Sequence, residues 1–217
     1  MNPLLELQNI SFSYHEGKPV LKDINLSIRY GEKLAIVGEN GSGKTTLFNL
    51  IVRILEPDEG KIIFMGKTIN SKKGIAFLRE KVGFLFQDPE DQLFCPTLLE
   101  DVAFGPLNLG FSTSQAREKA MDTLELVGLK DLAGLPPYML SEGQKRMGAL
   151  AAVLAMDPDL LLLDEPTSGL DERAQARLEQ ILLETGKAVL VASHDKPFLA
   201  KCTSKSYILS NGHLLLC

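Results

Sequence analysis

The stretch GENGSGKTT, residues 38–46, constrains this chain more than any other. It fits the pattern G-x-x-x-x-G-K-[ST], comes after a short apolar run, LAIV at 34–37, and opens a helical pattern from about Gly43 to Leu55. Glycines at 38, 41 and 43 let the backbone wrap closely enough for successive N–H groups to face phosphate oxygens, with Asn40, Ser42 and Thr46 completing the loop. A helix starting there adds a partial positive charge of roughly half a unit. Lys44 is then expected to reach the β- and γ-phosphates of a nucleotide, and Thr45 to ligate Mg²⁺. The bland alternative is a glycine-rich turn with a surface lysine, which the flanking strand and helix argue against.

LLLLDEP, residues 160–166, supplies a second half. An apolar strand delivers Asp164 at its carboxyl end, where it can hold Mg²⁺ directly or through water. Glu165 comes next on the other side of the pleat, placed to accept a proton from an attacking water. Together the two stretches imply a nucleoside triphosphatase.

Around them the pattern alternates. Residues 4–14 and 20–37 read as strands with bends at HEGKP and RYGEK, and 61–69 and 82–86 return to strand character. From about Asp88 to Met156 the pattern is helical, and LLLL (160–163) and AVLVAS (188–193) are again buried strands. The expectation is one α/β domain over 1–217: a nucleotide-binding core from 1–87 and 157–217, an antiparallel β region at the N-terminal end, and an inserted helical subdomain at about 88–156. No run reaches 18 apolar residues; the longest, MGALAAVLAM at 147–156, reads as a packed core helix. A soluble chain is expected. The net charge of −5 argues against a nucleic-acid partner. Cys95, Cys202 and Cys217 form no C-x-x-C pair, which points to a reducing compartment without a zinc site or disulfide framework.

Ser141 before a helical run, with Gln144 three residues on, reads as a capping box that leaves the next amides free as an anion site. LSEGQKRMGALAAVLAMDPDLLLLDEPTSGLD, residues 140–171, resembles the signature, second nucleotide motif and D-loop of ATP-binding-cassette (ABC) ATPases, and the resemblance covers nearly the whole chain. It implies a P-loop NTPase core of the ABC ATPase type, with ATP and Mg²⁺ as cofactors. Tyr14 would stack on adenine, Gln87 would sense Mg²⁺ and link the site to a membrane partner, and Ser168 and Asp171 would belong to the D-loop at a dimer interface. His194, in VASHD, would contact the γ-phosphate beside the base Glu165. Ser141, Glu142, Gly143 and Gln144 would cap ATP held by a second subunit.

FQDPEDQLFCPTLLEDVAFGPLNLG, residues 86–110, resembles the energy-coupling-factor branch, notably subunits of cobalt and nickel importers. By that resemblance Asp88, Asp91 and Gln92 lie near a groove for helices of a transmembrane coupling subunit, with Leu93, Phe94, Leu98 and Leu99 suited to the contact. A substrate-binding membrane subunit and a place at the cytoplasmic face of the membrane are implied as well. A vitamin importer is the alternative within the branch; an ABC ATPase acting on ribosomes or DNA is the rival outside it, disfavoured by a single cassette and acidic balance. Members of the branch often carry a C-terminal extension; the sequence ends at Cys217, so a dimer contact from such an extension is expected to be missing.

Glu142 stands where the family commonly has glycine. A first-turn carboxylate gains about 0.3–1 kcal/mol from the helix dipole. A phosphate charge about 8 Å away would cost it roughly 2 kcal/mol at an effective dielectric near 20. Pointing into solvent, with Lys145 and Arg146 nearby, would reduce that cost. Glu142 is therefore expected to weaken ATP-driven closure modestly without disabling the site.

Overall fold

The computed structural model describes residues 3–15 and 17–217. In chain order its elements are β1 (Leu5–Ser13), β2 (Pro19–Ile28), β3 (Lys33–Val37), α1 (Lys44–Ile51), β4 (Glu59–Phe64), β5 (Lys67–Thr68), α2 (Lys72–Lys81) and β6 (Val82–Leu85). Next come α3 (Leu98–Asn108), α4 (Thr113–Val127), α5 (Glu142–Leu154), β7 (Leu160–Asp164), α6 (Glu172–Glu184), β8 (Ala188–Ala192), α7 (Lys196–Cys202), β9 (Lys205–Ser210) and β10 (His213–Leu216).

Two sheets result. A four-stranded antiparallel sheet runs β2-β1-β4-β5, and a six-stranded sheet runs β10-β9-β3-β8-β7-β6. All neighbours in the larger sheet are parallel except the β9–β10 hairpin. The physical reason β7 and β8 read as unbroken apolar runs is that both faces are covered: every residue in each is buried. Alternation divides them between two cores. Leu160, Leu162, Leu190, Leu34 and Ile36 pack towards the antiparallel sheet and α1, whereas Leu161, Leu163, Val189, Val191 and Ala35 pack towards the helices. The three central strands therefore end side by side, which gathers the segments after Val37, Asp164 and Ala192 at one edge.

Some boundaries differ from the sequence expectation. The first helix ends at Ile51 rather than Leu55, because Arg53 takes a left-handed conformation (φ 60°) and the amides of Ile54 and Leu55 both return to the Asn49 carbonyl. The single strand expected over 61–69 is two, folded at Met65 and Gly66, whose successive positive φ values make a tight hairpin turn. Within 88–156 a 3₁₀ turn at Pro89–Asp91 precedes α3, α4 and α5, which pack on one another.

Strand β6 lies against α5 through Gly83: a Cβ there would stand 2.4 Å from Val153 Cγ1 and 3.0 Å from Pro158 Cγ. Gly83→Ala is expected to cost about 1–3 kcal/mol by overpacking, read as a lower urea midpoint at unchanged m value.

Candidate functional site

The loop between β3 and α1 is built around close approach. A Cβ on Gly38 would stand 2.5 Å from the Leu209 carbonyl oxygen. Gly43, the N-cap of α1, has φ 104°, which a side chain rarely adopts. Inside the loop the Lys44 ammonium donates to the carbonyls of Gly38 (2.8 Å) and Glu39 (3.1 Å). Lys44 is 7 % exposed, so its charge is concentrated on whatever the loop encloses. Tyr14 is half-exposed at the mouth, its hydroxyl 3.1 Å from Thr46 Oγ1 and its ring edge-on to Phe12.

The end of β7 faces this loop. Thr45 Oγ1 donates to Asp164 Oδ2 at 2.6 Å, joining two of the groups expected at Mg²⁺ although they are 119 residues apart. Burial pushes the Asp164 carboxyl above its ordinary value and neighbouring Glu165 adds to this, while Thr45, Lys44 and Arg146 pull the other way. A buried carboxylate with a hydroxyl beside it is a hard-oxygen donor set that fits Mg²⁺, and a cation there would offset the cost of keeping Asp164 ionised. Gln87, exposed after β6, borders the same cavity.

Glu165 has an unusual backbone, with φ 47°. Its amide donates to the Ala192 carbonyl at 2.8 Å, and its carboxylate lies 3.0 Å (Oε2) from His194 Nδ1. Glu165 is buried and His194 exposed, so the imidazole covers the carboxylate from the open side. Tyr14, Asn40, Gly41, Gly43, Lys44, Thr45, Thr46, Gln87, Asp164, Glu165, Ser168 and His194 line one cavity of about 560 Å³. Ser42 borders a neighbouring cavity with Gly38 and the outer face of the loop.

The signature residues lie elsewhere. The capping box at Ser141 is formed: Ser141 Oγ accepts from the Gln144 amide, and the Gln144 side chain accepts from the Ser141 amide. Ser141, Glu142, Gly143 and Gln144 line a separate cavity of about 550 Å³ with Gly169 and Asp171, sharing no residue with the first. Asp171 also caps α6, accepting from the Ala174 amide. A Cβ on Gly143 would stand 2.8 Å from the Gly169 carbonyl oxygen, so the signature turn and the loop after β7 are in contact. Glu142 is exposed and its side chain lies over Gly169.

The charges around Glu142 differ from the expectation in one respect. Lys145 pairs with Glu90 in the 3₁₀ turn rather than with Glu142. Arg146 remains near Glu142 but is itself buried; burial lowers its pKa, opposed by Glu142, Asp88, Asp164 and Glu165. Asp88 and Asp91 border a cavity of about 920 Å³ that Thr45, Gln87, Glu142 and Arg146 also line. Gln92 accepts from the Phe86 amide and donates to the Ala149 carbonyl, tying this segment to α5. Sequence reasoning passed over Arg146 and Glu90 as functional positions. The i,i+4 spacing of Glu142 and Arg146 was the available signal for the first; nothing local marks Glu90, which meets Lys145 across 55 residues.

The ABC transporter family profile matches residues 21–168. The chain belongs to the ABC transporter family. An energy-coupling factor transporter ATP-binding protein, EcfA, of Methanothermobacter thermautotrophicus is 41% identical over 98% of this chain and 70% of its own length. A Brucella suis protein bearing the name of an ABC transporter ATP-binding protein is 47% identical over 99% of this chain and 89% of its own. Among solved structures, cbiO1 of Clostridium perfringens, part of the ABC transporter complex cbiONQ, has TM-score 0.87 at 37% identity, covering 100% of this chain and 88% of that one. A dimeric ABC cassette bound to ADP and Pi has TM-score 0.86 at 29% identity, covering 97% and 96%. This ABC transporter chain is an ATPase that binds ATP through its cassette. No helix among the described residues is long and apolar enough to cross a membrane.

Lys44→Ala removes charge-assisted contacts worth about 1.5–3 kcal/mol, so ATP is expected to bind roughly 10- to 100-fold more weakly by equilibrium titration. Unaltered affinity would count against the loop as the phosphate cradle. Glu142→Gly lifts a carboxylate from the signature turn; the ATP concentration giving half-maximal hydrolysis is expected to fall, by up to roughly tenfold. Unchanged kinetics would remove any tuning role.

Proposed function

We propose that this chain is the ATP-hydrolysing subunit of an energy-coupling-factor importer, acting as one of a pair of ATPase subunits on the cytoplasmic face of the membrane. The observation that carries the pairing is the separation of the two cavities. Lys44, Thr45, Asp164, Glu165 and His194 border one, while the signature turn of the same chain borders another. A second cassette, a copy of this chain or a relative, would bring its signature over this chain's ATP. Similarity to EcfA over nearly the whole chain supports the branch. The partners implied are a transmembrane coupling subunit and a substrate-binding membrane subunit, with no nucleic acid. The resemblance of residues 86–110 to subunits of cobalt and nickel importers favours a cobalt or nickel ion as the imported substrate, with a vitamin as the alternative.

Loop amides and Lys44 hold the β- and γ-phosphates, and Tyr14 lies where adenine would stack. Thr45, Asp164 and Gln87 would hold Mg²⁺, which supplies charge neutralisation on the phosphates. Glu165 takes the proton of the attacking water, and His194, at the open side of Glu165, positions that water against the γ-phosphate. Such catalysis is mostly positioning and electrostatic stabilisation. Ser141 and the amides after it cap the partner's γ-phosphate, and Ser168 and Asp171 sit where the two chains meet. Closure shifts the helical lobe that carries Asp88, Asp91 and Gln92, and this motion drives the membrane subunits.

Glu165→Gln is expected to bind ATP with near-normal affinity, hydrolyse it at least about 100-fold more slowly and accumulate as a closed pair in size-exclusion chromatography. Rapid turnover by that variant would overturn the base assignment. Purification of the complex from gently solubilised native membranes is expected to recover small integral membrane proteins, and ribosomal or DNA-bound proteins in their place would overturn the importer reading.

A further inference from the structure

Arg146 is a buried cation with an incomplete set of partners. It is 3 % exposed, and its Nε has no hydrogen-bond partner. Its Nη1 reaches the backbone carbonyl of Glu165, 19 residues away, at 3.4 Å. A guanidinium is costly to bury, and leaving its donors open costs more. An arginine kept here is therefore expected to serve something besides packing.

Its contact is with the least relaxed backbone at the site. Glu165 is held at φ 47°, a conformation that a non-glycine residue keeps only when its surroundings enforce it. The enforcement comes from two sides. Its amide donates to the Ala192 carbonyl in β8, and its carbonyl accepts from the Ser168 amide at 3.2 Å and from Arg146. Arg146 is the one of these groups that belongs to α5, the helix whose first turn, with its N-cap, carries Ser141 and Gly143. The carboxylates of Glu142, Asp88, Asp164 and Glu165 all favour its charged form.

We propose that Arg146 is a positioning residue for hydrolysis, through which the signature helix fixes the backbone of Glu165 and so the aim of its carboxylate. It does not contact ATP; it acts through Glu165. This rests on the assignment of Glu165 as the base, and it deepens that reading. The same helix then serves both sites, its first turn at the partner's ATP and its second turn at its own chain's base.

The test measures ATP hydrolysis and ATP affinity of the full chain with Arg146→Met, Arg146→Gln and Arg146→Lys, alongside Glu165→Gln. For R146M and R146Q, kcat is expected to fall roughly 10- to 100-fold, because small misplacement of a catalytic group has that effect. The Kd for ATP is expected to stay within about twofold, since the cradle is untouched. ATP-driven pairing in the E165Q background is expected to be unchanged by R146M. R146K, which keeps a charged donor, is expected to recover much of kcat. A folded R146M or R146Q that hydrolyses ATP at the wild-type rate overturns the proposal. So does R146K no better than R146M, or a loss of affinity and pairing in step with kcat, which marks a merely structural role. If R146M fails to fold, R146Q against R146K carries the same comparison. Wild-type hydrolysis by E165Q would fell the base assignment itself, whereas an inert E165Q beside a fully active R146M would fell only the role of Arg146.

Discussion

A carboxylate that is 1 % exposed at the end of an all-leucine strand is the constraint to which the rest of the site answers. Ionised Asp164 in that position would be untenable without compensation. Thr45 donates to it, Lys44 and Arg146 lie near enough to favour its charge, and the donor set leaves room for a divalent cation. These partners come from the first turn of α1 and from the signature helix, so the requirement to satisfy one buried charge draws separate stretches of chain to one edge of the sheet. Glu165 adds a second buried carboxylate beside the first, and its pairing with His194 extends the arrangement to the end of β8.

Much of this was legible in the sequence because it depends on local pattern. LAIV, LLLL and AVLVA are short, apolar throughout and bounded by turn residues, which suits a strand covered on both faces. The loop glycines and the Ser141–Gln144 spacing announce turn and cap geometry that backbone sterics dictate. The parts that were not legible depend on distant packing. Helix α2 buries only Leu78 completely and carries an internal glycine, so its periodicity is faint. Arg146 enters the sequence reading only as a charge near Glu142, whereas its burial and its reach to the Glu165 carbonyl depend on packing against the loop after β7. The hydrogen bonds of Gln92 with the Phe86 amide and the Ala149 carbonyl are likewise a product of distant packing.

The helices α3–α5 share one apolar cluster with the inner residues of β6, β7 and β8. Specific polar and close contacts are added to it: Gly143 meets Gly169 with no room for a side chain, Arg146 reaches Glu165, and Arg177 of α6 donates to the Leu126 carbonyl. Within the helical region Lys145 pairs with Glu90. The first two turns of α5 are thus tied to the loop after β7 through Gly143 and Arg146 and to the segment after β6 through Lys145. Thr45, Gln87 and Arg146 border one cavity between these segments.

The position of β3 in its sheet carries a further consequence. The strand that launches the phosphate loop is made well before its two neighbours in the ladder, β8 and β9. The Ser204 side chain, for instance, donates to the Lys33 carbonyl across 171 residues of chain. Until β8 and β9 have left the ribosome, LAIV has no strand on either side, and the loop has no rigid base from which to curve. Assembly of the larger sheet is thus a late, non-local event, of the kind that folds slowly and exposes apolar edges while it waits. A nascent or prematurely terminated chain of this sequence presents the apolar strand β3 unpaired, and protection of that strand during synthesis is a demand written into the strand order itself.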